Sequence, residues 1–166
     1  AALASAEWAA DPHANHAMVD AILGMTPVAE MPVGVLEPLM SDIDALMAGD
    51  NLGAISDRLL SYDGENAWLQ KARDGFAHGS KLAAAWIFRQ LNESVHYSLK
   101  EVFDTELRLG ANIMRDPEFA EGVRALLVDK DRQPKWQYDS VHDVPDAVLE
   151  MFFQEAEGAP EMRYPW

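Results

Sequence analysis

The chain has no cysteine. Disulfides and thiolate metal sites are therefore excluded, and the absence fits a reducing cytosol, so the expected compartment is cytoplasmic. Basic residues are scarce: 13 Lys and Arg stand against 28 Asp and Glu, a formal charge of −15 over 166 residues. So acidic a surface repels nucleic-acid phosphates and anionic membranes, so neither is an expected partner. It also suits a salty bacterial cytoplasm. No apolar run approaches the ~20 residues of a membrane span, and the expectation is a soluble chain. Strand signals are nearly missing too. No Asn-Gly or Asp-Gly hairpin lies between alternating segments: Asp63-Gly64 and Asp74-Gly75 both sit among helix formers. The chain opens on Ala1-Ala2-Leu3-Ala4 without Met or a basic stretch. That is not a signal peptide and reads as a chain entered partway.

What is present is helical. Apolar residues make up 49% of the chain, with five Trp and six Phe, enough to anchor a core in one domain. Asp11-Pro12 is an N-cap followed by Pro at the first helical position, predicting a helix to about Leu23 with Gly24 as its stop. Residues 25–34, with Pro27, Pro32 and Gly34, read as a loop. A helix over 35–47 would place Leu36, Leu39, Met40, Ile43 and Met47 on one face. Asn51 caps a short helix carrying Leu52, Ile55, Leu59 and Leu60. Residues 64–77 form the next, with Trp68, Leu69, Ala72 and Phe76 inward.

Ser80 then caps a helix with Leu82, Trp86, Ile87 and Leu91, ending near Asn92. Ser98-x-x-Glu101 is a capping box opening the longest helix, whose expected inner face is Leu99, Val102, Phe103, Leu107, Gly110 and Met114. Asp116-Pro117 repeats the cap-plus-Pro signal, with a helix to about Val128. Residues 129–138 are charged and irregular, and a last helix spans about Pro145 to Phe153. The fold expected is all-α, seven or eight helices. It divides into an N-terminal helix and Pro/Gly loop (1–34), a helical body (35–136) and a terminal short helix and tail (137–166). The Trp and Met on helical faces are expected in the core.

Several chemical motifs fail on inspection. His13-x-x-His16 supplies two metal ligands where three or four are needed. Glu93-x-x-His96 is one arm of a di-iron helix motif whose second arm is missing. No metal site is expected. The stretch Gly75 to Lys81 lacks phosphate-loop spacing and a preceding strand, and no G-x-S-x-G elbow exists.

One segment carries family information. The run from Asp116 to Trp136 contains Phe119-x-Glu121-Gly122-Val123-Arg124-Ala125-Leu126-Leu127, then Asp129-Lys130-Asp131, Pro134 and Trp136. It resembles the C-terminal signature of the 3-hydroxyisobutyryl-CoA hydrolases, a branch of the crotonase (enoyl-CoA hydratase/isomerase) superfamily. Ser98 to Arg115 resembles the family as well, and a thinner likeness reaches back to Trp8 and Asn15-His16. The resemblance implies the C-terminal helical part of a crotonase-like α/β protein, without the N-terminal spiral core that holds the oxyanion amides and acid/base carboxylates. It implies no catalytic residue in this chain, which alone is expected to be inactive.

It also implies a lid over an acyl-CoA pocket, and a parent enzyme hydrolysing an acyl-CoA thioester in valine breakdown. An enoyl-CoA hydratase or isomerase is the alternative. Coenzyme A enters as part of the substrate, with no separate cofactor. In many crotonases a Lys and an aromatic residue after the corresponding segment approach the CoA nucleotide.

The residues themselves offer the same candidates. Lys130, Arg132 and Lys135 fall within six positions. Lys and Arg bind phosphates, and Trp136 could pack on adenine or on a pocket wall. The competing reading pairs Lys130 and Arg132 with their neighbours Asp129 and Asp131. Gly122, inside a helix, implies close packing, and Arg124 a carboxylate partner. A reading of another class is a stand-alone helical interaction module. An orphaned lid, lacking its core, would expose apolar surface and could associate with itself.

Overall fold

A computed structural model of the chain describes residues 2–25 and 34–156. Among them are eight α-helices and no strand: α1 (Pro12–Gly24), α2 (Met40–Met47), α3 (Leu52–Leu60), α4 (Ala67–His78), α5 (Lys81–Glu93), α6 (Leu99–Ile113), α7 (Pro117–Val123) and α8 (Asp146–Phe153). The all-α expectation holds. The chain divides into two compact units, 1–44 and 45–166, the division falling inside α2. The expected 25–34 loop lies largely outside the described residues.

The caps do what their chemistry demands. A helix start leaves four backbone N–H groups without partners, and short oxygen-bearing side chains supply acceptors. Asp11 accepts from the His13 amide at 3.0 Å, Asn51 from Ala54 at 2.9 Å, Ser80 from Ala83 at 2.9 Å and Asp116 from Glu118 at 2.9 Å. Ser98 and Glu101 close a reciprocal capping box. The helix expected over 64–77 begins later, at Ala67, because Asn66 is the cap: its side chain accepts from both Trp68 and Leu69 amides. The helix expected over 35–47 opens instead as a 3-10 turn at Glu37–Leu39. Pro38 has no N–H with which to extend an α-helical ladder.

The core lies in the second unit. Leu82 of α5, Leu109 of α6 and Phe152 of α8 meet there, with Trp86, Ile113, Tyr138 and Val148 packed around them. Polar clamps fix α8. The Asn112 amide nitrogen lies 3.0–3.2 Å from the carbonyls of Met151, Phe152 and Gln154 at the end of α8, where orphan acceptors collect. Arg89 of α5 pairs with Glu93 and with Glu150 of α8, and lies over the Phe153 ring. Glu93, half of the rejected di-iron arm, is thus spent on an ion pair.

Three expectations about faces and form are corrected. The buried stripe of α6 is Thr105 and Leu109, continuing to half-buried Ile113, whereas Leu99, Phe103 and Met114 are exposed. The expected face is rotated because α8 docks on the Leu109 side. Thr105 tolerates burial by donating its hydroxyl hydrogen to the Glu101 carbonyl. Second, the aromatic and Met residues are not uniformly core: Trp8, Trp68, Met40, Met47, Met114 and Met151 are exposed. Third, the helix expected to reach Val128 changes form. Its α-helical part stops at Val123, and Arg124–Val128 continues as a π-helix, with the Asp129 amide donating to the Arg124 carbonyl at 2.8 Å.

Candidate binding cleft

The π-helical turn is where the site begins. Widening the helix to an i→i+5 ladder leaves the following chain out of helical register, and such turns recur at functional sites. The chain reverses over 129–136. The Arg132 amide reaches back to the Ala125 carbonyl at 2.9 Å, and the His78 ring meets the Arg132 carbonyl at 2.9 Å. Lys130 and Arg132 both adopt left-handed backbone conformations, at φ 57° and 56°, which costs a non-glycine residue roughly 1 kcal/mol or more.

Arg124 holds this reversal. Its Nε and Nη2 donate to the two carboxylate oxygens of Glu121, each at 2.8 Å. Its Nη1 donates to Asp129 at 2.6 Å and Asp131 at 2.7 Å, and Nη2 also reaches the Gln133 carbonyl at 3.1 Å. The hydrogen bonds to Arg124, joined by one from the Lys135 amide, pull the Glu121 carboxyl down to about 2. Asp131 is lowered by Arg124 and by the Gln133 amide. The guanidinium itself is held still more firmly protonated, first by Glu121 and then by Asp131 and Asp129. The expected carboxylate partner of Arg124 is therefore three partners. The competing pairing of Lys130 and Arg132 with Asp129 and Asp131 is not what the chain does.

Beside this loop lies a cleft of about 690 Å³, walled mostly by apolar side chains from α5, α7 and the π turn, including Leu82, Trp86, Phe119 and Leu126. Its polar lining comes from His78, Ser80, Asp116, Glu118 and Arg132. Glu118 is buried yet satisfied: one oxygen accepts from the Ser80 hydroxyl, the other from the Gln137 amide at 2.7 Å. Trp136 donates its indole N–H to the His78 carbonyl at 2.7 Å. Its ring lies so near Gly122 that a Cβ there would sit 3.3 Å away, and the ring would have to give by a few tenths of an ångström to admit one.

The four sequence candidates do not converge on one point. Arg132 and Trp136 line the cleft. Lys135 lines a smaller, polar pocket of about 290 Å³, shared with Trp136, His78, Lys81, Tyr138 and Asp139. Lys130 is exposed and lines neither. Sequence reasoning missed Lys81, which is buried with its ammonium 2.8–2.9 Å from the carbonyls of Phe76, Ala77 and Gly79. Burial lowers its pKa, while three carbonyls at the negative end of α4 match its three donors. The available signal was a Lys just past a helix terminus.

Glu118 was also missed as a buried acceptor. The spacing of Asp116-Pro117-Glu118 marks a helix start, and nothing local distinguishes a first-turn carboxylate in solvent from one turned onto Ser80.

Comparison with known proteins bears on all of this. The 3-hydroxyisobutyryl-CoA hydrolase of Danio rerio is 35% identical over 125 residues, covering 75% of this chain and 32% of its own. The human mitochondrial counterpart is 30% identical over 130 residues, 78% of this chain and 33% of its own. A crystal structure described as an enoyl-CoA hydratase from Rhodobacter sphaeroides superposes with a TM-score of 0.68 at 27% identity, covering 89% of this chain and 44% of that one. The matches thus span about a third of the curated relatives' length. The family described as enoyl-CoA hydratase/isomerase matches residues 1–153, and with that coverage the chain, helical in its described residues and similar to the 3-hydroxyisobutyryl-CoA hydrolases, belongs to the enoyl-CoA hydratase/isomerase family.

Proposed function

We propose that this chain is the helical part of a bacterial, cytoplasmic acyl-CoA thioester hydrolase acting on 3-hydroxyisobutyryl-CoA or a close relative. The observation that carries the reading is the apolar cleft with Arg132 and Trp136 in its lining, built from the segment that most resembles the hydrolases. An apolar cleft of this size suits the acyl and pantetheine portions of a thioester. The cations of Lys130, Arg132 and Lys135 would meet the phosphates of coenzyme A.

The chemistry belongs to the part of the relatives beyond the matched third. There, two backbone amides would polarise the thioester carbonyl and an acidic residue would assist water. The contribution of this chain is a wall that excludes water and a cationic edge that fixes the nucleotide. The exposed apolar residues of the π turn, Leu126, Leu127 and Val128, would pack on that partner half.

A hydratase is the second reading, favoured by the solved structure the chain superposes on. Supplying 3-hydroxyisobutyryl-CoA and crotonyl-CoA separately to the natural full-length protein separates the two. Release of free CoA thiol from the first supports the hydrolase. Loss of the enoyl absorbance of the second without thiol release means a hydratase. Silence on both would sink the hydrolase and hydratase readings and leave an isomerase or a helical interaction module.

A further inference from the structure

The segment 129–132 alternates acid and base: Asp129, Lys130, Asp131, Arg132. In solvent such neighbours neutralise one another, and the stretch would offer an anion nothing. The fold sorts them instead. Arg124 has five N–H donors in a rigid fork, and five hydrogen bonds occupy them: two to Glu121, one each to Asp129, Asp131 and the Gln133 carbonyl. Both loop carboxylates are thereby turned onto one guanidinium. Neither Lys130 nor Arg132 has a carboxylate partner among the described residues, and both stand at left-handed backbone positions. Two such positions in one short loop persist only where the surroundings over-determine them. Here the surroundings are the Arg124 fork together with the Ala125, Asp131 and His78 hydrogen bonds.

We infer that Arg124 is a positioning residue for phosphate recognition: it touches no ligand, but by sequestering Asp129 and Asp131 it frees Lys130 and Arg132 to bind the nucleotide phosphates of a coenzyme A thioester. This rests on the acyl-CoA reading above and deepens it. No other side chain can replace the fork. Lysine carries the charge but has three donors without planar geometry, and Met carries neither.

The test compares two substrates of the natural full-length protein. One is the CoA thioester, the other the same acyl group on pantetheine, which lacks the nucleotide phosphates. Arg124→Met should raise KM for the CoA thioester about tenfold, the size of one charge-assisted hydrogen bond. KM for the pantetheine thioester should hold, and the loss should sit in KM rather than kcat. Arg124→Lys should fall between, and it serves if the Met variant folds poorly. A purely structural role predicts equal losses on both substrates, and that result overturns the inference.

Replacing Lys130, Arg132 and Lys135 together by Ala separates the two levels. If the triple variant raises KM for the CoA thioester and neither Arg124 variant does, the positioning role is wrong while the acyl-CoA reading stands. If the triple variant leaves KM unchanged, the phosphate-contact reading falls and the inference falls with it.

Discussion

Helices α1 and α7 begin with the same device and end in different states. Each opens on an Asp N-cap followed by Pro at the first helical position. The cap bonds are nearly the same length, 3.0 Å from His13 to Asp11 and 2.9 Å from Glu118 to Asp116. Yet no described residue of the first unit is buried. Helix α7 buries Glu118, runs into buried Ala125 and anchors a loop through Arg124. A capping signal writes a helix start wherever it occurs. What the helix is worth to the molecule depends on what it packs against, because most helical stability in proteins comes from tertiary burial.

The two units differ most in their cores. Leu82→Ala should cost about 2–5 kcal/mol by urea denaturation, the range for a buried leucine. Leu23→Ala, on exposed α1, should change stability by less than about 0.5 kcal/mol. Similar values for the two would mean that the first unit is packed as firmly as the second. A smaller effect is expected at Glu118. Glu118→Ala strands the Ser80 hydroxyl and the Gln137 amide, at a cost of about 1.5–3 kcal/mol. Thermal melts should show a loss there that His13→Ala on α1 does not reproduce.

The two Asp caps should differ in the same direction. Asp116→Ala should lower global stability by about 1 kcal/mol. Asp11→Ala should instead raise amide hydrogen exchange within α1 and leave the global transition in place. The least effect is expected from mild acid. The Glu121 carboxyl is held at about 2 against an ordinary 4.5. A depressed carboxylate stabilises fully above its unfolded value and loses that contribution as pH falls through its folded one. Stability to urea should therefore lose nothing on account of Glu121 from pH 7 to 5, and this contribution should disappear only as pH falls from about 4.5 towards 2. Glu121→Gln should abolish that acid step. A loss near pH 6 would belong to another group.

Much of the fold was legible in sequence because its signals are local. Asp11, Asn51, Ser80, Ser98 and Asp116 each place a side-chain oxygen within reach of amides two or three residues on, and no distant partner is needed. Faces were less legible. Leu99, Phe103 and Met114 satisfy helical periodicity as well as Leu109 does, and only the approach of α8 chose between the two stripes. The site was legible as a segment but not as a geometry. Lys130, Arg132, Lys135 and Trp136 are close in sequence, yet the backbone reversal separates them onto two pockets and an exposed edge.

Residue identity at short spacing was enough for most of the helices and caps, the acidic charge and the family signature at 116–136, but not for the Asn66 cap or the π turn at Arg124–Val128. It took the folded chain to bring Glu121, Asp129 and Asp131 onto Arg124, the Lys81 ammonium onto the end of α4, and Trp136 against Gly122. The physical reason is the same in each case. A guanidinium, an ammonium or a ring can satisfy any of several neighbours, and the backbone path of the folded chain selects which of them lie within about 3 Å.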